Sequence, residues 1–307
     1  MRTVNPAATA PPISLEPTGA TMTKPLYLAD SSVRRFEATV ERVLDDGRVV
    51  LDRTHFYPEG GGQPADGGWI RLLDGHVDDE ATDEHVVDGT GDDHIDGATT
   101  RVATDSAPEW RVMDVQKRDR IHHHLEPSNE KPESPVPEPS AALEPGDTVV
   151  GRLDWDRRHA HMRYHTAQHL LSAHLLETDD APTSGNQLYA DRARLDCEHD
   201  RFDPADLESI EGAMNGYVEA DLDVRWYELE RERAEAKLDL ERTRIDLLPD
   251  SISRIRIVEI GDSADPLDRV ACAGTHVEST GEIGRVEITG RETAGSGRER
   301  IRFRLLE

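Results

Sequence analysis

The run Arg163-Tyr-His-Thr-Ala-Gln-His-Leu-Leu-Ser-Ala-His-Leu-Leu176 sets the character of the second half of the chain. Leu170, Leu171, Ala173, Leu175 and Leu176 stand among strong helix formers, so the segment is predicted to be a helix. On it His165 and His169 lie one turn and a little apart, which puts both imidazoles on one face, able to share one ion. This is not the His-Glu-x-x-His of metalloproteases, because Thr166 follows the first histidine and no glutamate stands where the general base would be. In a chain with 14 histidines, a chance pair on a helix is the competing reading.

A second cluster adds weight to the first. Cys272-Ala-Gly-Thr-His276 again spaces two strong ligands four apart, after a predicted strand from Ile252 to Ile260 and a loop holding Asp262, Asp265 and Pro266. A thiolate with imidazoles is the donor set zinc prefers, and His165, His169, Cys272 and His276 supply the donors of a tetrahedron. Whether a helix and a distant loop converge depends on the fold, not on spacing. Residues 206–221 and 231–246 also read as helices, and strands are predicted from Gly284 to the C-terminus, so residues 155–307 form an α+β unit.

The first part of the chain has a different pattern. Phe36-Glu-Ala-Thr-Val40 and Val49-Val-Leu51 read as two strands around the turn Asp45-Asp-Gly47, which makes residues 26–154 β-rich. Val86-Val87, in an Asp-, Gly- and Thr-dense stretch, offers a further short strand. Residues 1–25, with Pro6, Pro11, Pro12 and Pro17, read as a mobile tail. Residues 118–147, with Pro127, Pro132, Pro135, Pro137, Pro139 and Pro145, read as an insertion or surface linker that holds no helix or central strand. Its His122-His123-His124 triplet is read as ordinary loop rather than metal site, because adjacent histidines in such a loop have no fixed geometry to select an ion.

Composition excludes several classes of function. The 307 residues include 36 basic and 63 acidic side chains, a formal charge of −27 spread over the whole chain. Spread in this way, the excess is a solvated acidic surface rather than a docking face. It suits a proteome adapted to molar salt, where charge repulsion is screened within about 3 Å. The sequence contains no apolar run of about 18 residues, so no membrane span is expected. Met1 to Lys24 lacks the pattern of a secretory signal. Cys197 and Cys272 are too few for a disulfide framework, which points to a reducing cytoplasm and no disulfide-linked partner.

His165-x-x-x-His169 followed far downstream by Cys272-x-x-x-His276, with Gly274-Thr275-His276-Val277 in the second motif, resembles the editing domain of alanyl-tRNA synthetase and its free-standing relatives, the AlaX-type alanyl-tRNA editing proteins. Phe56-Tyr-Pro-Glu-Gly-Gly-Gly-Gln-Pro-Ala-Asp-Gly67 is similar to the glycine-rich segment preceding the editing core in that family. Thr280-Gly-Glu-Ile-Gly284, Ile301-Arg-Phe303 and Arg194-Leu-Asp196 also fit, so the resemblance spans about Leu26 to Glu307. The chain departs from the family at Ala273, where a glycine is usual after the motif cysteine. The resemblance implies α+β architecture: a small N-terminal β-barrel, then a zinc-binding editing domain of the threonyl/alanyl-tRNA synthetase second additional domain type. It also implies that the barrel's glycine-rich loop closes over the metal.

From the same resemblance follow an activity and a partner. The expected function is a trans-editing hydrolase that removes serine, and possibly glycine, from mischarged tRNA(Ala), with zinc either activating water or only positioning substrate. No aminoacylation domain is expected. The alternative is a tRNA-binding module with a structural zinc. Gly60, Gly61 and Gly62 are candidates for approach to an anion or terminal ribose, the competing reading being a tight hairpin. Thr183 and then Gln187 fall where relatives keep a residue that senses the substrate hydroxyl, though turn chemistry beside Gly185-Asn186 accounts for them as well. Arg152, Arg157, Arg158, His159, His161 and Arg163 make the densest basic run, in which Arg157, Arg158 and Arg163 are the candidate tRNA contacts, or else the run supplies surface partners of carboxylates.

Overall fold

The structure, a computed structural model, describes residues 22–73, 95–96, 107–128, 136–238, 243, 245, 249 and 252–306. Its first strands are β1 (Lys24–Pro25), β2 (Arg35–Val43), β3 (Arg48–Leu51), β4 (Arg53–Thr54), β5 (Gly68–Leu72) and β6 (Ile95–Asp96). Then come β7 (Glu109–Lys117), β8 (Ile121–Pro127), a short helix α1 (Pro139–Ala142) and β9 (Thr148–Leu153). Alternation shapes the wall: Phe36, Ala38 and Val40 of β2 are buried, while Arg35 and Thr39 on the alternate positions are exposed. The order β3-β8-β7-β5-β9-β2, closed by pairing of β2 with β3, makes a six-stranded antiparallel barrel, with β6 added along β2. Phe36, Phe56, Ile70 and Trp110 fill its interior.

Two expectations are corrected in this region. Strand β8, within the segment read as an insertion without helix or central strand, lies in the barrel wall between β3 and β7, and the short helix α1 falls in the same segment. The prolines explain why: none precedes Pro127, which ends β8, and Pro139 opens α1, so only the later part of 118–147 is barred from the wall. The histidine triplet therefore sits on a strand. His123 points inward, bonded to Thr54 Oγ1 at 2.9 Å and Val49 O at 3.1 Å. Order also begins before Leu26, since β1 pairs with β4 and the Thr23 hydroxyl donates to Leu51 O at 2.8 Å. Residues 1–21 of the expected tail, the Val86-Val87 pair and residues 129–135 lie outside the described residues.

The second half is built on α2 (Trp155–Asp179), which contains the His165 segment. It is followed by β10 (Thr183–Leu188), β11 (Ala193–Cys197), α3 (Pro204–Glu219), β12 (Val224–Glu230), α4 (Arg231–Lys237), β13 (Arg254–Gly261), β14 (Pro266–Ala271), β15 (Arg285–Gly295) and β16 (Arg298–Leu306). Asp154 caps α2 by accepting from Arg157 N, and Asp180 ends it in the left-handed conformation at φ 50°. The sheets run β10-β11-β16-β15 and β12-β13-β14. Leu170, Leu171 and Leu175 of α2 share a core with Ile210 and Met214 of α3 and with Leu195, Ile301 and Phe303 of the larger sheet. Each fully buried side chain of this kind stabilises by about 1.5–3 kcal/mol. Cys197 is buried in the same core, and both cysteines are free. Among the described residues no helix is long and apolar enough to cross a membrane.

Candidate metal centre

One face of α2 packs on the sheet, and the face turned to the barrel carries buried polar side chains: Arg158, His161, His165 and Gln168. Beside them runs the loop after β14, which brings Cys272 and His276 to His165 and His169. The four ligand atoms lie within 4.8 Å of one another, a cluster of the kind that holds a metal ion. Cys272 Sγ is 3.6 Å from His165 Nε2 and 3.4 Å from His276 Nε2.

The three imidazoles are each oriented from behind. His165 Nδ1 lies 2.8 Å from Gln63 Oε1, and His169 Nδ1 lies 2.7 Å from Asp268 Oδ2. Both oxygens only accept, so both Nδ1 atoms carry the proton. His276 Nδ1 is 3.2 Å from Thr166 Oγ1, whose own proton goes to Met162 O at 3.0 Å, so here too the ring nitrogen donates. In each ring Nε2 is thereby the nitrogen available to a metal, the arrangement that fixes tautomer and orientation in metal centres. Gln63 belongs to the glycine-rich loop and grips the cysteine loop as well, donating to Thr275 Oγ1 at 2.9 Å and accepting from Thr275 N at 3.2 Å.

Electrostatics within the cluster favour a thiolate. Burial pushes the Cys272 thiol up, but the facing imidazoles of His165, His169 and His276 outweigh it and hold the group well below the usual thiol range. Burial likewise opposes a proton on His169, yet the Cys272 sulfur and the Asp268 carboxylate lift it to about 9. Burial, with His165 beside it, keeps His276 well below the imidazole range. A soft anion among imidazoles is the donor chemistry a divalent transition metal takes, displacing the His169 proton as it binds. His161, one turn before His165, is outside the cluster: burial and then Arg157 push it down to about 4.

A cavity of about 450 Å3 opens over the cluster, lined by Tyr57, Gly60, Gly61, Thr183, Asn186 and Ala273 among others. Gly60 and Gln63 pair across a two-residue turn in which Gly61 (φ 58°) and Gly62 (φ 83°) are left-handed, so the hairpin reading holds for these glycines while Gly60 and Gly61 also line the cavity. Thr183 is exposed at the rim, its Oγ1 2.7 Å from Ser172 Oγ. Gln187 turns away from the ligands and donates to Gly62 O at 3.2 Å.

The arginines read as a basic patch are placed otherwise. Arg158 is 0 % exposed, its guanidinium bonded to Asp66, Ser31 O and His55 O. Arg157 donates to Ala65 O at 2.9 Å and Arg163 to Ile283 O at 2.8 Å. Two of the three thus join α2 to the barrel and one joins it to the 3-10 turn Thr280–Ile283 before β15, so they do not form an open surface. Clustering in sequence on a helix scatters residues around its axis, which is why the run misleads. Gln63, Asp268 and Thr166 were not legible as partners, although Gln63 stands in the glycine-rich motif itself.

Gly274 is where this geometry is least forgiving. A Cβ there would lie 2.0 Å from His165 Cε1 and 2.3 Å from its Nδ1, whereas Ala273 carries its methyl on an exposed position. Gly274→Ala is therefore expected to push His165 out of line and cut metal affinity by about 10–100-fold, the loss typical when a ligand's support is disturbed. Titration of the purified protein with Co2+, followed by its thiolate absorption, measures this.

Comparison with known proteins gives concordant matches. Residues 255–302 match the family described as "Threonyl and Alanyl tRNA synthetase second additional domain". The chain is 35 % identical over 287 residues to the alanyl-tRNA editing protein AlaX-M of Methanosarcina acetivorans, covering 93 % of this chain and 100 % of that protein. It is equally similar, 35 % over 288 residues, to AlaX-M of Methanosarcina barkeri, with 93 % and 100 % covered. The alanine–tRNA ligase of Pyrococcus furiosus is 35 % identical over 284 residues, which are 92 % of this chain and 26 % of the ligase.

Proposed function

The chain belongs to the AlaX family of alanyl-tRNA editing proteins, and from that membership we propose that it is a trans-editing hydrolase cleaving a wrongly attached amino acid from the alanine tRNA. Serine, with glycine second, is the proposed amino acid. An alanine pocket rejects a smaller or slightly more polar side chain only weakly by binding, so a second site must sort them.

The proposed ion is zinc. At Zn–S near 2.3 Å and Zn–N near 2.0–2.1 Å, the tetrahedral angle separates sulfur from nitrogen by about 3.6 Å. The Cys272 Sγ distances of 3.6 and 3.4 Å to His165 and His276 Nε2 match it, and this agreement carries the proposal. When bound, zinc supplies a Lewis acid that polarises or positions the acceptor end. Gly60 and Gly61 bring backbone without side chains to the cavity wall, leaving room for that end. Asp268, Gln63 and Thr166 hold the imidazoles in register. Because four protein donors already complete a tetrahedron, positioning is favoured over water activation, and a second function keeps support: a tRNA-binding module with a structural ion.

Release of amino acid from seryl-, glycyl- and alanyl-tRNA, all on the alanine tRNA and in high salt, tests the proposal. Selective release of serine supports editing; no release by folded, zinc-loaded protein leaves the binding module. Within editing, the Thr183 hydroxyl is the proposed sensor of the serine hydroxyl, being an exposed hydroxyl at the cavity rim, beside Ser172 Oγ at 2.7 Å. Thr183→Val is expected to lower serine release about 10-fold relative to glycine release, the worth of one hydrogen bond. Equal losses for both would move the sensor elsewhere.

A further inference from the structure

Register gathers a basic row that the linear sequence conceals. Arg35 of β2 stands directly across from Arg152 of β9, Arg152 from Trp69 of β5, and Trp69 from Arg111 of β7. The three arginines are exposed, on the outer face of the barrel, and the row ends at Glu126 of β8, opposite Arg111. Like charges set directly across strands destabilise a sheet, so such a row calls for a compensating partner. Among the described residues, Arg34, Arg35, Arg111 and Arg152 form no ion pair, whereas Arg71 in the next row is paired with Glu109 at 3.0 Å. In a chain of charge −27 with 63 acidic residues, four unpaired guanidiniums on one face depart sharply from the average surface.

Their form is specific too. The Arg152 guanidinium lies 4.4 Å from the Trp69 ring centroid, and Arg34 lies 4.3 Å from that of Trp155. Stacking on an aromatic holds the planar fork fixed with its N–H edges turned outward, suited to bidentate contact with phosphate. Between them is a groove of about 330 Å3, lined by Arg34, Arg35, Trp69, Arg71 and Arg152 among others.

The row is also rightly placed for a substrate that ends in the cleft. Trp69 follows the glycine-rich loop by two residues and Arg152 precedes α2 by three, so the row lies at the end of the barrel that meets the metal-bearing helix. Trp155 and His165 are separated by about 15 Å along α2 at 1.5 Å per residue. That is the length of four or five nucleotides at about 3.4 Å each along one strand.

Resting on the editing function, we propose that the Arg35–Arg152–Trp69–Arg111 row, with Arg34, binds the phosphate backbone of the tRNA while its 3′ end occupies the metal cavity. In molar salt, where charges are screened beyond about 3 Å, contact-distance arginine–phosphate pairs still act, and the steering of a diffuse field does not.

The test compares the full chain with Arg35→Gln/Arg111→Gln/Arg152→Gln, using seryl-tRNA(Ala) and a minimal seryl-adenosine ester. The variant is expected to hydrolyse the small ester like the native chain. Its KM for the tRNA should rise at least 10-fold, and the slope of log affinity against log salt should shrink by about 3, close to one per lost phosphate contact. An unchanged tRNA KM and salt slope overturn the proposal. So does a lowered melting temperature with unchanged tRNA affinity, which would assign the row to the chain's own carboxylates. If the native chain hydrolyses neither substrate, the editing function fails instead, and the salt slope of uncharged tRNA binding still decides the row.

Discussion

Cys272→Ala is expected to lower serine release from seryl-tRNA(Ala) by more than about 100-fold and to abolish tight metal binding, while the far-ultraviolet circular dichroism stays native. The magnitude follows from the position of the sulfur. Disturbing a residue behind a ligand costs about 10–100-fold in affinity or activity, and removing the only anionic donor of the cluster costs more. The remaining donors are three imidazoles, and without the thiolate His169 loses the main group that lifts its basicity. Retention of fold is expected because the cysteine loop has other moorings: Thr275 to Gln63, Val277 N to Thr166 Oγ1, and Arg256 to Cys272 O and Gly274 O. Both cores adjoining the site are complete without the ion. Metal content by plasma spectrometry, beside released serine, separates the outcomes. A folded, metal-free, fully active variant would exclude the cluster from the chemistry, and an unfolded one would favour the structural ion.

Local periodicity made part of this centre legible. Spacing placed His165 and His169 on one face of α2, where their ring centroids are 5.1 Å apart, and it gave Cys272 and His276 as a second pair. Convergence of the pairs depends on contacts between residues some 100 positions apart, such as Gln63 with His165 and Asp268 with His169, which no period encodes. Strand register has the same property. Arg35, Arg111 and Arg152 become neighbours only once β2, β9, β5 and β7 are aligned, so the sequence displayed Arg152 together with the arginines of 157–163 and concealed its row with Arg35 and Arg111. The barrel strands at Phe36–Val40 and Val49–Leu51 were readable because one face alternates around a turn. Strand β8 was not, because prolines beyond Pro127 coloured the residues before it.

Arg158→Met is expected to destabilise the protein by about 3–5 kcal/mol, the cost of leaving a buried charge without its partner. The argument rests on what Arg158 joins. Its guanidinium donates to both Asp66 oxygens, to Ser31 O at 2.9 Å and to His55 O, so one side chain of α2 ties together three segments of the barrel half. Asp66 in turn accepts from Tyr57 N at 2.7 Å, which fixes the base of the glycine-rich loop. Asp66→Leu should cost as much, since it strands the arginine. Arg158→Met with Asp66→Leu should cost less than the two losses added, because no unpaired charge remains and apolar groups fill the space. Denaturant midpoints with unchanged slope measure each variant. Strict additivity would mean that the pair acts as two independent contacts, and the glycine-rich loop would then owe its place to Gln63 and the cysteine loop rather than to this buried ion pair.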